Sequence, residues 1–296
     1  MAGFAPLRET SSPGIEISEE WSVAADNISK SFTSLAPIVF ICGAKNSGKT
    51  TFSRYLLNTF LPRYKRVAYL DTDVGQPEFT PPGCLSLTII DEATPDLTIP
   101  CLKTPLRCYF FGDVSSKRDP ETYLNCIFAL YDHYSKDLQV SSKNASTGAA
   151  DLPLIINTPG WVKGLGFDIL VDMLKHMAAT HVVKINISSV RKNLPDGAFW
   201  LDELDESSVK LVEMTSARKD SYNRSRLDVC TLFCCPGIVR GIDTLKNVIY
   251  LITPVPQKIL TGVDILLQGY IQIPTGLLQV QGCVSPYMSA NVVQTN

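Results

Sequence analysis

Eight consecutive residues, Gly43-Ala44-Lys45-Asn46-Ser47-Gly48-Lys49-Thr50, constrain this chain more than any other segment. They spell GxxxxGK[ST], and they stand between the continuous apolar run 38–42 and a helix-forming stretch at 49–61 that Pro62 should stop. A buried strand, a glycine-rich loop and a helix in that order are what a P-loop requires. The glycines let backbone N–H groups turn inward around phosphate, and the helix N-terminus adds positive potential. Lys49 reaches the β and γ phosphates, and Thr50 can hold Mg²⁺. The expected nucleotide-binding set is therefore Gly43, Ala44, Lys45, Asn46, Ser47, Gly48, Lys49 and Thr50, with the adjoining Thr51.

The remaining pattern fits that nucleus. Short apolar runs at 67–70, 85–90, 152–156 and 182–187 read as buried strands. Between them, 120–134 places Tyr123, Ile127, Leu130 and Tyr134 at helical spacing, and 167–178 does the same with Ile169, Leu170, Met173, Leu174 and Met177. Strands alternating with helices predict an α/β P-loop NTPase fold, a parallel sheet flanked by helices. The stretch 141–150 reads as a surface loop. Beyond about residue 225 the runs become short and β-like, at 238–239, 248–253 and 270–273, which predicts a small β-rich C-terminal domain. Residues 1–36 form a polar lead-in around Trp21, with room for one short helix, and read as a tether. The expected organisation is an N-terminal segment 1–36, a P-loop core 37–225 and a C-terminal unit 226–296.

Composition narrows the class. With 45% apolar residues in 296, wholesale disorder is excluded. Lysine and arginine total 27 against 29 acidic residues, so a histone-like basic coat is excluded and any nucleic-acid contact must use a local groove. No apolar run approaches the roughly 20 residues that span a bilayer, and 1–12 lacks a signal-peptide core, so no membrane partner is expected. Nine cysteines without CxxC pairing favour reduced thiols in cytosol or nucleus.

Two further segments carry chemistry. Asp71-Thr72-Asp73-Val74-Gly75-Gln76 follows directly on the run 67–70, and strand ends of a parallel sheet face the ligand crevice. Two carboxylates two residues apart can divide the work, one near Mg²⁺ and the other deprotonating an attacking hydroxyl. An ordinary turn with solvated carboxylates is the plain alternative. At 156–164, Ile-Asn-Thr-Pro-Gly-Trp-Val-Lys-Gly resembles a GTPase DxxG switch only superficially, because Asn157 replaces the aspartate and no NKxD follows. Trp161 beside Lys163 offers a stacking face and a cation suited to a single-stranded nucleic-acid end. Residue type alone leaves a packing role for Trp161 open.

Together, the P-loop, DTDVGQPEF at 71–79, YFFGD at 109–113, DPETY at 119–123 and INTPGWVKGLG at 156–166 resemble the polynucleotide 5′-hydroxyl kinase family. That family includes the kinase of the mRNA 3′-end cleavage and tRNA-splicing machinery and the nucleolar pre-rRNA-processing kinase. Pro77-Glu78-Phe79 resembles the nucleolar branch more closely. The resemblance covers 37–224 and resumes at 237–286. It implies an ATP-dependent enzyme that phosphorylates RNA 5′-hydroxyl ends in pre-rRNA processing, in the nucleus and its nucleolus, with an rRNA-processing protein complex as partner. It also implies that Lys49 and Thr50 bind ATP and Mg²⁺, that Asp73 is the general base and that Trp161 stacks on a terminal base. Asp71 and Gln76 then make supporting metal and substrate contacts, and residues 112–115 line the crevice.

The chain is expected to depart from the family in two respects: only 36 residues precede Pro37, where the family usually has a β-rich domain, and the lid segment is short. Family members carry a helical lid with an RxxxR pair before the C-terminal domain, whereas here 221–226 runs almost directly into Cys230, Cys234, Cys235 and Gly237. About a dozen residues are too few for a helical lid. A transition-state arginine is worth about 10³ to 10⁵ in rate, so a catalytically impaired ATP- and RNA-binding scaffold is the second expectation. A kinase of small substrates is a third, disfavoured by Trp161 and its loop. His133, His176 and His181 are expected at surfaces or helix ends, and the cysteines at 230, 234 and 235 lack a fourth zinc ligand. Basic clusters at 63–66, 117–118, 191–192 and 218–219 read as solvated faces, with a track for an RNA backbone as the alternative.

Overall fold

A computed structural model describes residues 17–30, 36–94, 102–138, 152–201, 209–217, 238–243 and 248–253. Seven strands form one sheet: β1 (Ile38–Gly43), β2 (Val67–Asp71), β3 (Cys84–Ile90), β4 (Arg107–Phe110), β5 (Leu154–Asn157), β6 (His181–Asn186) and β7 (Lys210–Thr215). Their spatial order is β4-β3-β2-β5-β1-β6-β7. The five strands from β2 to β7 in that order run parallel. The parallel expectation fails at one end, where β3 and β4 are antiparallel. The connection from β2 to β3 holds no crossover helix, so the chain turns back on itself.

Among the described residues, four α-helices accompany the sheet: α1 (Glu19–Ser29), α2 (Lys49–Tyr64), α3 (Pro120–His133) and α4 (Leu165–His176). Strand alternation sorts the core into two layers. Ile38, Phe40 and Cys42 of β1 face α3 and α4, while Val39 and Ile41 face α1 and α2. Burial of each large apolar side chain contributes about 1.5–3 kcal/mol. Asp119 caps α3 by accepting from Thr122 N at 3.0 Å, and Pro120 stands where a missing N–H costs nothing.

Three local expectations need correction. Helix α2 does not stop before Pro62 but runs through it to Tyr64, because a proline in the last turn forfeits only one carbonyl's donor there. Strands β4 and β7 went unpredicted: Arg107, Cys108 and Tyr109 of β4 are exposed, as are Lys210, Glu213 and Thr215 of β7, so neither reads as an apolar run. Most consequentially, the stretch read as a tether contains α1, which is part of the core. Trp21 is only 2% exposed, meets Phe52 of α2 edge-on at 5.4 Å between ring centroids, and donates from Nε1 to Thr215 O at 2.8 Å.

Past the core, β8 (Ile238–Asp243) and β9 (Val248–Ile252) pair antiparallel, with a register irregularity between Val239 and Gly241. Two of the three expected C-terminal strands are thus seen; 270–273 lies outside the described residues, as do the loop 141–150, the cysteines at 230, 234 and 235, and the segment 221–226. Among the described residues, no helix is long and apolar enough to cross a membrane.

Candidate active site

The C-terminal ends of β1, β5 and β2 converge because register aligns Ile41, Asn157 and Asp71 across the three strands. Each chain segment that leaves these ends carries one of the motifs.

From β1 the P-loop turns into α2 at Gly48, which has φ +98° and caps the helix without a side chain. The first-turn N–H groups therefore lack a side-chain acceptor and are available to an anion. Ser47 is buried, and its hydroxyl has no hydrogen-bond partner among the described residues. An orphaned hydroxyl in a loop of inward-turning amides fits phosphate oxygens. Lys49 is buried, and its ammonium donates to Ala44 O at 2.9 Å. Burial lowers its pKa to about 8, against the opposing pull of the Asp73 carboxylate. Thr50 and Thr51 are half-buried, while Lys45 and Asn46 are exposed.

From β2 comes the DxD segment, whose two carboxylates have different surroundings. Asp71 is fully buried. Its Oδ2 accepts from Glu78 N at 2.6 Å; its Oδ1 accepts from Asp73 N at 3.2 Å and from Asn157 Nδ2 at 3.2 Å. Burial raises its pKa to about 7, with those hydrogen bonds working the other way. Both oxygens thus accept hydrogen bonds from the protein, and through them Asp71 braces the loop. Asp73 is half-buried. Its Oδ1 accepts from Gly75 N at 3.0 Å and Gln76 N at 3.1 Å, and its Oδ2 accepts no hydrogen bond from the described residues. One oxygen is fixed by the turn and the other is open to a proton donor. Gln76 is exposed, beside this opening. Gly75 lies close to the 112–115 loop, where a Cβ would stand 3.0 Å from Val114 O.

From β5 the chain continues as Asn157-Thr158-Pro159-Gly160-Trp161. Asn157 also approaches Ser53 Oγ of α2 at 3.5 Å, and Thr158 donates to Ile41 O at 2.7 Å. Gly160 lies directly on the P-loop: a Cβ there would fall 2.5 Å from the backbone N and Cα of Lys45. The half-buried Trp161 packs its ring 5.4 Å from that of Tyr123 and also covers Gly166. Its packing role is real, and the residue remains partly exposed. Lys163 is exposed on the same loop.

Tyr123 connects two of these segments and was missed as a site residue. Fully buried in α3, it donates to Thr72 O at 2.5 Å while contacting Trp161. Its only sequence signal was its place in DPETY. Arg54, Glu78 and Trp21 were missed because their partners are distant in sequence. Among the described residues, no three His, Cys, Asp or Glu side chains cluster as a protein-only metal site. Mg²⁺ that is shared with phosphates asks for only one or two protein oxygens, and the half-buried Thr50 at the start of α2 would offer one.

Comparison with known proteins places this geometry in context. Residues 43–229 match the family model for the mRNA cleavage and polyadenylation factor CLP1 P-loop, and 203–274 match a NOL9-like C-terminal domain. A relative named polynucleotide 5′-hydroxyl-kinase NOL9 from Arabidopsis thaliana is 44% identical over 94% of this chain and 96% of its own length. That alignment spans 361 positions, more than this chain possesses, so the relative carries segments that this chain lacks. The Homo sapiens protein of the same name is 32% identical over 67% of this chain. Polynucleotide 5′-hydroxyl-kinase grc3 of Schizosaccharomyces pombe is 33% identical over 61%. This chain covers only 27% and 26% of the lengths of those two relatives. A solved wild-type Clp1p–Pcf11p complex aligns at TM-score 0.42 and 22% identity, over 54% of this chain and 39% of that one.

Proposed function

Because this chain belongs to the polynucleotide 5′-hydroxyl-kinase NOL9/GRC3 family, with its CLP1-type P-loop domain, we propose that it transfers the γ-phosphate of ATP to the 5′-hydroxyl of RNA. The pre-rRNA-processing setting, a nucleolar location and an rRNA-processing protein complex as partner belong to the same proposal, on the strength of the relatives' names. The observation that carries it is the contact of Gly160 with the Lys45 backbone, which sets the Trp161 loop directly against the phosphate-binding loop. A base stacked on Trp161 brings its own 5′-end to the ATP side of the crevice.

In this reading the P-loop amides, the Ser47 hydroxyl and Lys49 hold the phosphates, and Trp161 and Lys163 hold the RNA end. Gln76 contributes a further polar contact to the substrate. Asp73 Oδ2 accepts the proton as the 5′-oxygen bonds to the γ-phosphorus and the bond to the β,γ-bridging oxygen breaks, releasing ADP. Lys49 stands beside the charge that develops on the phosphoryl group. Mg²⁺, contacted by Thr50, would neutralise charge on the β and γ phosphate oxygens when bound. The chain's own task is placement, since phosphoryl transfer depends mostly on orientation and electrostatics.

The test is transfer of labelled γ-phosphate to a short 5′-hydroxyl RNA, with the 5′-phosphorylated RNA and Lys49→Ala as controls. Label on the first RNA alone, lost in the variant, is the expected result. A second reading, an ATP- and RNA-binding form with impaired transfer, is favoured by the segments present in the Arabidopsis relative and absent here. It is the outcome if ATP and RNA bind and no label moves.

A further inference from the structure

Two charged side chains are buried beside the DxD loop without belonging to either substrate's site. Arg54 of α2 and Glu78 of the loop form an ion pair at 2.9 Å, with exposures of 2% and 6%. Burying such a pair costs several kcal/mol of desolvation per ion, and apolar replacements are often as stable. Stability alone is therefore a weak reason for the pair, and its connections suggest another.

Those connections run to the general base. The backbone N–H of Glu78 donates to Asp71 Oδ2, the carboxylate that in turn accepts from Asp73 N. Arg54 stands five residues beyond Lys49 on the same helix, so the residue holding phosphate and the residue holding Glu78 share one rigid element. Phe79, next in the chain, is seated edge-on against Tyr69 of β2 at 4.9 Å, which fixes the far end of the loop. Arg54 Nε also approaches Thr94 Oγ1 at 3.5 Å, so the guanidinium is held from a second side.

We propose that the Arg54–Glu78 ion pair is a positioning device, which ties the loop bearing Asp73 to the helix bearing Lys49 and so sets the distance between general base and γ-phosphate. The proposal rests on the kinase reading above, in which Asp73 is the base. Neither residue of the pair touches substrate; both act through Asp71 and the loop backbone. A misplacement of about 1 Å at a reacting group can cost about 10²-fold in rate, and a loop freed at Glu78 has that latitude.

The experiment compares the wild-type chain with Glu78→Gln, Arg54→Met and Arg54→Lys, and with Asp73→Asn as reference. Three quantities are measured: kcat for transfer to 5′-hydroxyl RNA, ATP affinity by direct titration, and amide hydrogen exchange in peptides covering 71–79 and 44–57. The expected result for Glu78→Gln and Arg54→Met is a fall in kcat of about 10²-fold with ATP affinity within about twofold, and faster exchange in 71–79 alone. Arg54→Lys, which keeps the charge, should recover part of kcat. A kcat unchanged within about twofold in Glu78→Gln and Arg54→Met overturns the proposal. So does loss of ATP affinity in step with kcat, or faster exchange in both peptides, since the pair would then be a general brace of α2. Absence of transfer in the wild type overturns the kinase reading instead, and full activity in Asp73→Asn removes Asp73 as the base; in either case the exchange arm still decides whether the pair holds the loop.

Discussion

The indole of Trp21 lies against Gly48, so closely that a Cβ at that glycine would stand 2.7 Å from the edge of the ring. A helix that precedes the first strand thus supports the residue at which the P-loop becomes α2. Glu20 adds to this attachment by accepting from Thr215 Oγ1 at 2.6 Å and Thr215 N at 3.2 Å, and Ser22 accepts from Tyr55 OH at 3.2 Å. Trp21→Ala would leave a large cavity between α1, α2 and β7. The expected cost is about 3–5 kcal/mol of stability, with weaker ATP binding because Gly48 loses its backing. Chemical denaturation and ATP titration of the same variant check both parts; unchanged ATP affinity would confine Trp21 to packing.

Gly160 makes the equivalent contact on the other side of the P-loop. Its Cβ-free approach to the Lys45 backbone leaves no room for alanine, since 2.5 Å is well inside van der Waals contact with main-chain atoms that cannot rotate away. Gly160→Ala must displace either the P-loop or the Trp161 loop. ATP affinity and RNA affinity should therefore fall together, a joint effect that separate titrations would reveal.

The two aspartates should respond differently to the same substitution. Asp73→Asn retains a carbonyl oxygen for Gly75 N and Gln76 N, so stability should change by less than about 0.5 kcal/mol, while transfer falls by about 10²- to 10⁴-fold. Asp71→Asn offers one acceptor where Glu78 N approaches one oxygen and Asp73 N and Asn157 Nδ2 the other. An N–H group is left facing an N–H group, at a cost of about 1–3 kcal/mol. Melting curves and single-turnover transfer distinguish the two variants; equal melting behaviour would show that Asp71 does not brace the loop.

His181 supplies a pH dependence unrelated to catalysis. It was expected at a surface or a helix end, yet it is buried in β6 with Nδ1 2.8 Å from Thr180 Oγ1, and burial, aided by nearby Lys210, lowers its pKa from 6.5 to about 4. The unfolded chain binds this proton more readily, so the stabilisation is fully present above pH 6.5 and is lost as pH falls through 4. The slope contributed by one such group is at most about 1.4 kcal/mol per pH unit. His181→Gln should flatten the stability profile between pH 6.5 and 4 relative to wild type. Parallel profiles would show that His181 is already neutral in the unfolded chain over that range or titrates normally in the folded one.

How much was legible in the sequence depends on the range of the interactions. The P-loop, its flanking strand and helix, and the amphipathic helices α3 and α4 are local patterns, and the structure reproduces them within a few residues. The two faces of β1 follow from alternation along six buried residues. Strand β3 looks like any other strand in isolation, and only its pairing with β2 and with the exposed, unpredicted β4 reveals its direction. Trp21 read as one aromatic in a polar stretch because its partners, Gly48, Phe52 and Thr215, lie 27, 31 and 194 residues away. Tyr123 was visible as a core residue, but its hydrogen bond to Thr72 O crosses 51 positions.

The sequence by itself determined the chemistry on offer: a phosphate-binding loop, two carboxylates at a strand end, and an aromatic beside a cation. These are properties of residue type and short spacing, which covalent geometry transmits directly. Tertiary structure alone decided how that chemistry is shared out. Asp71 and Asp73 are the same residue type two positions apart, yet one is enclosed by Glu78, Asp73 and Asn157 while the other keeps an open oxygen. The loop's own N–H groups serve both residues, but the full burial of Asp71 and its bond from Asn157 exist only once β5 is packed beside β2.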